Sequence, residues 1–197
     1  MADVKAVLRA INWPGVIAGI LIIALPFLGN WWIFKLGTTA LVMATSPFGI
    51  DLRIFGEQIS VSPLLWWLIL GLKLGVVYLG VLLLTGSLLS MSHQYASIAE
   101  LLVQFSARKV LWLVVGFVVV LLLVSVLLNQ LPGVLGLPFQ LRVPYLSGTI
   151  EPPLSVKIAE SMQLTIPIFM GFTQRFIIAV VAAALGVAAW IYQKKML

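Results

Sequence analysis

Lys73 has the most to explain. It stands inside Pro63 to Ser90, a run that is apolar almost from end to end. An ionisable group held in such a run is by default a functional candidate, able to hold an anion or bias an ion path. No Asp or Glu occurs in any of the long apolar runs to pair with it. The plainer reading is a snorkelling Lys: it lies about 9 Å by helix rise below Trp67, a distance its stem can largely recover.

The other chemistry-bearing types are sparse. His93 and Glu100 are seven residues apart, two turns on a continuous helix, but two ligands are too few for a structural metal site. Asp51 with Glu57, and Glu151 with Glu160, could act as carboxylate pairs, although Arg53, Arg142 and Lys157 nearby make surface ion pairs the simpler expectation. There is no Cys, which removes disulfides, thiolate metal sites, Fe–S clusters and thiol catalysis. A single His removes a bis-His haem within one chain. Phosphate loops, nucleophile elbows and dinucleotide fingerprints are missing from the sequence. It therefore implies no metal, no cofactor and no enzyme.

The elements that must position these residues belong to a membrane protein. Of 197 residues, 62% are hydrophobic and 9% charged, against about 25% charged in a soluble domain. Lys and Arg give a net charge of +6 but mostly flank apolar runs, the pattern of membrane topology rather than of nucleic-acid binding.

Taken in order, the chain predicts an integral membrane α-helical fold, a four-transmembrane-helix bundle with a small β-rich extracytoplasmic cap. The first span is 14–35, an uncleaved helix kinked near Pro26. An outer β loop follows at 37–62. There Thr38–Thr45 is a candidate strand, Ser46-Pro47-Phe48-Gly49 a turn, and Ile50–Phe55 with Gln58–Val61 a hairpin turning at Gly56-Glu57 in type II′ geometry. The second span is 63–90, a cytoplasmic interfacial helix covers 91–109, and the third span is 110–128. A second outer β loop, 129–174, opens at Leu131-Pro132-Gly133. It holds candidate strands at 139–143, 154–158 and 162–166, with Ser147-Gly148 as a turn. The fourth span is 175–193. One loop of two or three strands is marginal alone, so both loops are expected to share one sheet.

Lys5, Arg9, Arg108, Lys109, Lys194 and Lys195 fall on one side of these spans, which places both termini in the cytoplasm and the protein in the plasma membrane. Trp13, Trp112 and Trp190 then mark the inner interface, and Trp31, Trp32, Trp66 and Trp67 the outer one. Small residues suited to close helix packing are Gly15 and Gly19, Gly71 and Gly75, and Ala182 and Gly186.

This combination reads as a non-catalytic integral membrane protein, an assembly, anchoring or accessory subunit. Its partners would be the lipid bilayer and other membrane subunits or copies of itself. The competing reading is a small oligomeric channel or transporter whose second span and Lys73 line the path.

Overall fold

The computed structural model describes residues 11–37, 39–60, 62–134, 144–150 and 167–196, apart from the side chains at 93, 131–133, 150 and 196. The candidate strands at 139–143, 154–158 and 162–166, with Arg142, Glu151, Lys157 and Glu160, lie outside the described residues.

The described chain is mostly helical, with a separate antiparallel sheet. Helix α1 is Trp13–Ala24 and passes into a 3-10 turn, Leu25–Phe27. Asn12 caps it, accepting the Gly15 N–H at 3.2 Å, and Pro14 follows in the first turn, where a missing N–H costs nothing. Strands β1 (Trp32–Leu36), β2 (Leu41–Ser46), β3 (Gly49–Ile54) and β4 (Glu57–Ile59) come next. Helix α2 is Pro63–Leu89 and α3 is Ala96–Val134; a 3-10 turn, His93–Tyr95, lies between them. Strands β5 (Gly148–Ile150) and β6 (Ile168–Phe172) precede α4, Gln174–Met196. Among the described residues, three helices are long and apolar enough to cross a membrane: α2, α3 and α4.

Two expected spans have different bounds. Residues 14–35 are not one helix, because Trp32–Leu36 is a strand. Pro26 removes a helical N–H donor, Gly29 takes a φ of 95°, and the aromatic and β-branched run Trp31-Trp32-Ile33-Phe34 then favours extended backbone. The interfacial helix 91–109 and the third span 110–128 are, from Ala96, one helix of 39 residues, about 58 Å long by helix rise. Nothing between 96 and 131 breaks it. The shift from amphipathic to apolar changes which faces can be buried, not whether the backbone stays helical. It also continues past Leu131-Pro132-Gly133, expected to begin a loop.

The chain forms two compact units. One contains the described residues of 1–29, 67–115 and 177–197. Its four helical segments pack through small residues and buried aliphatics such as Ala18, Ile22, Leu83, Val103 and Ala182. The other contains residues 30–66 and 116–176. Its sheet has the order β4-β3-β2-β1-β6-β5, all neighbours antiparallel. The two segments expected to share a sheet do so, joined by β1 against β6 from Trp32↔Phe172 to Leu36↔Ile168. Gly148, expected in a turn, begins β5 instead.

The β3–β4 hairpin turns one residue earlier than expected. Ile54 pairs with Glu57, so Phe55 and Gly56 are the central residues. Both have positive φ, 50° and 86°, which is the type I′ turn rather than II′. Such a turn matches the right-handed strand twist, and Gly56 accepts its φ without a Cβ penalty.

Antiparallel register sorts the side chains into two faces. On one lie Trp32, Phe34, Met43, Met170 and Phe172, packed with Phe117, Leu121 and Leu128 of α3 and with Leu146. The Trp32 indole N–H donates to the Leu146 carbonyl at 2.9 Å. The other face carries Ile33, Val42, Ala44 and Phe169 across β1, β2 and β6, together with Lys35, and Asp51, Arg53 and Gln58 across β3 and β4.

Candidate functional site

The closest approaches in the helical unit are made at glycines. A Cβ built on Gly19 would lie 3.0 Å from the Gly80 carbonyl oxygen, and one on Gly80 would lie 2.9 Å from the Ile23 backbone nitrogen. A Cβ on Gly15 would overlap the Ser87 hydroxyl and sit 3.2 Å from the Ala189 Cβ. On α2, Gly86 meets Leu102 and the Ala99 carbonyl of α3, and on α4, Gly186 meets Ala107 of α3 at 3.7 Å. Ala182 is fully buried. Gly15, Gly19, Ala182 and Gly186 are therefore packing positions within this unit.

Gly71 and Gly75 are not. Both are exposed, and no atom lies within 4 Å of a Cβ built on either. The contacts that their spacing suggests are made on α2 by Gly80 and Gly86. Lys73 is half-buried. With about 100° per residue it falls in line with Val76 and Gly80, both buried, and nearly opposite Gly71 and Gly75. The ionisable residue and the open glycine pair thus occupy different faces of α2.

A polar node ties three helices together at one end of the unit. Asn12 is fully buried; its Nδ2 donates to the Ala189 carbonyl at 2.9 Å and to Gln193 Oε1 at 3.1 Å. Its backbone N–H donates to the Ser87 carbonyl at 3.4 Å. Ser87, Thr85 and Ser125 bond back to carbonyls four residues earlier, the usual way for a hydroxyl to be satisfied in an apolar helix. The Asn12 node has a signal in the sequence, an Asn immediately before a helix-opening Trp-Pro. Gln193, close to the C-terminal lysines, has none.

The tryptophans divide. Trp13, Trp66, Trp67 and Trp112 are exposed, as belt residues would be. Trp31 and Trp32, assigned by sequence to the outer belt, are interior. Trp31 is 0% exposed between Phe48, Phe117 and Phe176, the first two edge-on at 5.4 and 5.3 Å. Trp32 fills the core between the sheet and α3. Trp32 is taken up by the apolar face of β1, and Trp31, the residue before that strand, by the Phe48, Phe117 and Phe176 rings. Trp190 is half-buried, with the Lys194 ammonium 4.9 Å from its ring centre. Lys109 lies 5.7 Å from the Phe105 ring centre, so two basic side chains rest on aromatic faces.

Among the described residues, the candidate carboxylates do not converge. Asp51 pairs with Arg53 at 3.3 Å on the polar face of β3, while Glu57, opposite Ile54, registers on the apolar face. Glu100 is half-buried in α3, and His93 belongs to the 3-10 turn before it. Among the described residues, no three His, Cys, Asp or Glu side chains gather as a metal site would require. The interactions seen among the described residues are packing, hydrogen bonds and one surface ion pair. Comparison with family models, with curated proteins and with solved structures finds no match.

Proposed function

We propose that this chain is a non-catalytic integral membrane protein, an assembly, anchoring or accessory subunit of a membrane complex. In this reading four helices lie in the plasma membrane, both termini are cytoplasmic, and the sheet is extracytoplasmic. The carrying observation is the single sheet built from both inter-helix segments, which among the described residues ends on two short strands, β4 and β5. The edge of a sheet accepts a strand from another chain by β-addition. The short first helix supports the same reading. Trp13–Phe27 is shorter than an ordinary span, a mismatch that packing in an assembly relieves.

One observation favours the second reading, a small oligomeric channel or transporter: Lys73 continues the stripe of Val76 and Gly80 on α2. Extraction in mild detergent separates the two. Stoichiometric co-purification of unrelated subunits supports the first. A symmetric homo-oligomer that conducts anions in liposomes supports the second. A monomer without partners or flux overturns both.

A further inference from the structure

Among the described residues, the apolar face of the sheet is only half covered. Across β1, β2 and β6 it packs on Phe117, Leu121 and Leu128 of α3. It then continues, by register, onto Ile50, Leu52 and Ile54 of β3 and Ile59 of β4. There Ile50, Ile54 and Ile59 are 37–43% exposed, and Phe55 at the hairpin tip is 81% exposed. The opposite face of the same two strands carries Asp51, Arg53 and Gln58. This wing is amphipathic across its thickness.

What covers the open half is indicated by α3 itself. The face that holds α3 also holds the open isoleucines, so both lie on the same side of the sheet. From Val119 to Leu127 the side chains α3 leaves exposed are Val119, Val120, Leu122, Leu123, Val124 and Leu127, all apolar and within a segment long and apolar enough to span a bilayer; Gln130, further on, is the first exposed polar one. The open wing and this helix surface are both apolar and belong to one unit, so one apolar medium suits both.

We infer that the β3–β4 wing lies on the lipid bilayer, with Ile50, Ile54, Phe55 and Ile59 against acyl chains and Arg53 and Gln58 facing water. The inference rests on the membrane reading of α3. The outward N–H and C=O groups of β4 need water, which sets the wing at the interface rather than in the hydrocarbon centre. Glu57, on the apolar face beside the turn, marks the rim that stays hydrated.

The cysteine-free sequence permits a direct test. Ile54→Cys, Ile59→Cys, Gln58→Cys and, on α3, Leu123→Cys each carry a nitroxide label in the full chain in phosphatidylcholine vesicles. Collisions with oxygen and with a water-soluble nickel chelate are measured at each. The expected result is loss of nickel collisions and retention of oxygen collisions at 54, 59 and 123, and the reverse at 58. All four sites are partly exposed, and labels at both 54 and 59 guard against one local distortion. Nickel reaching 54 and 59 as freely as 58, with 123 still protected, overturns the wing's placement and leaves the membrane reading standing. Nickel reaching 123 as well overturns both. Exclusion of both reagents at 54 and 59 identifies a protein partner or second copy on this face, and overturns the lipid assignment.

Discussion

Gly19 and Gly80 meet across α1 and α2, each so near the other's backbone that a Cβ on either would lie 3.0 Å from the partner's carbonyl oxygen. Gly80→Leu therefore forces the two helices apart. The expected loss is about 1–3 kcal/mol, the usual cost of overpacking. Gly75→Leu, with nothing within 4 Å, is expected to change stability by no more than about 0.5 kcal/mol. Thermal unfolding in detergent, followed by circular dichroism, compares them. Equal losses would show that the Gly71–Gly75 face is also in contact.

Asn12 and Gln193 hold the two ends of the described chain together through a buried 3.1 Å hydrogen bond. Asn12→Ala and Gln193→Ala, alone and combined, form a double-mutant cycle with an expected coupling of roughly 0.5–2 kcal/mol. A coupling of zero would mean that each side chain is satisfied independently of the other.

Phe55 is the one non-glycine residue with positive φ among those described. Phe55→Asn keeps the turn and relieves about 1 kcal/mol of backbone penalty but gives up the ring's apolar contact, worth about 1.5–3 kcal/mol, so a net loss is expected; Gly56→Val should lose about 1–2 kcal/mol. Chemical denaturation in detergent reads both. A stabilised Phe55→Asn would show that the ring makes no contact outweighing its strain.

Lys73→Met keeps the stem and removes the charge. Translocon-type scales set the cost of a central Lys at about 2.5–3.5 kcal/mol, less towards the interface. With Lys73 only snorkelling, the variant is expected to be at least as stable as the parent, with assembly intact. Loss of anion flux in a folded, assembled variant would favour the channel reading, and Lys73→Arg should then restore it incompletely because a guanidinium differs in shape from an ammonium.

How much of this is legible in the sequence depends on how local the cause is. The long apolar helices are written in composition, and the β3–β4 strands in the alternation Ile50-Asp51-Leu52-Arg53-Ile54. The turn lies one residue earlier than Gly56 by itself implies, because nothing in the sequence marks Phe55 as accepting positive φ. Arg108 and Lys109 read as a boundary within α3, although charge does not interrupt helical backbone. The glycines illustrate a longer-range limit. Gly71, Gly75, Gly80 and Gly86 lie on one helix, and only the position of α1 and α3 decides which pair is buried. Trp31 and Trp32 similarly look interfacial until β6, far along the chain, supplies the other side of β1.

The pairing of β1 with β6 also sets an order of events during synthesis. β1 to β4 leave the ribosome together, but Ile168, the partner of Leu36, follows only after α2 and α3. At about 5–20 residues per second the interval is on the order of ten seconds. Throughout it, the central strand of the finished sheet is an outer edge with its backbone groups unmatched. Only the segment from Ile168 onward closes that edge. A chain truncated before Ile168 is expected to keep that edge open and to be cleared faster than the full chain in a pulse-chase experiment; equal lifetimes would show that the edge is shielded by other means.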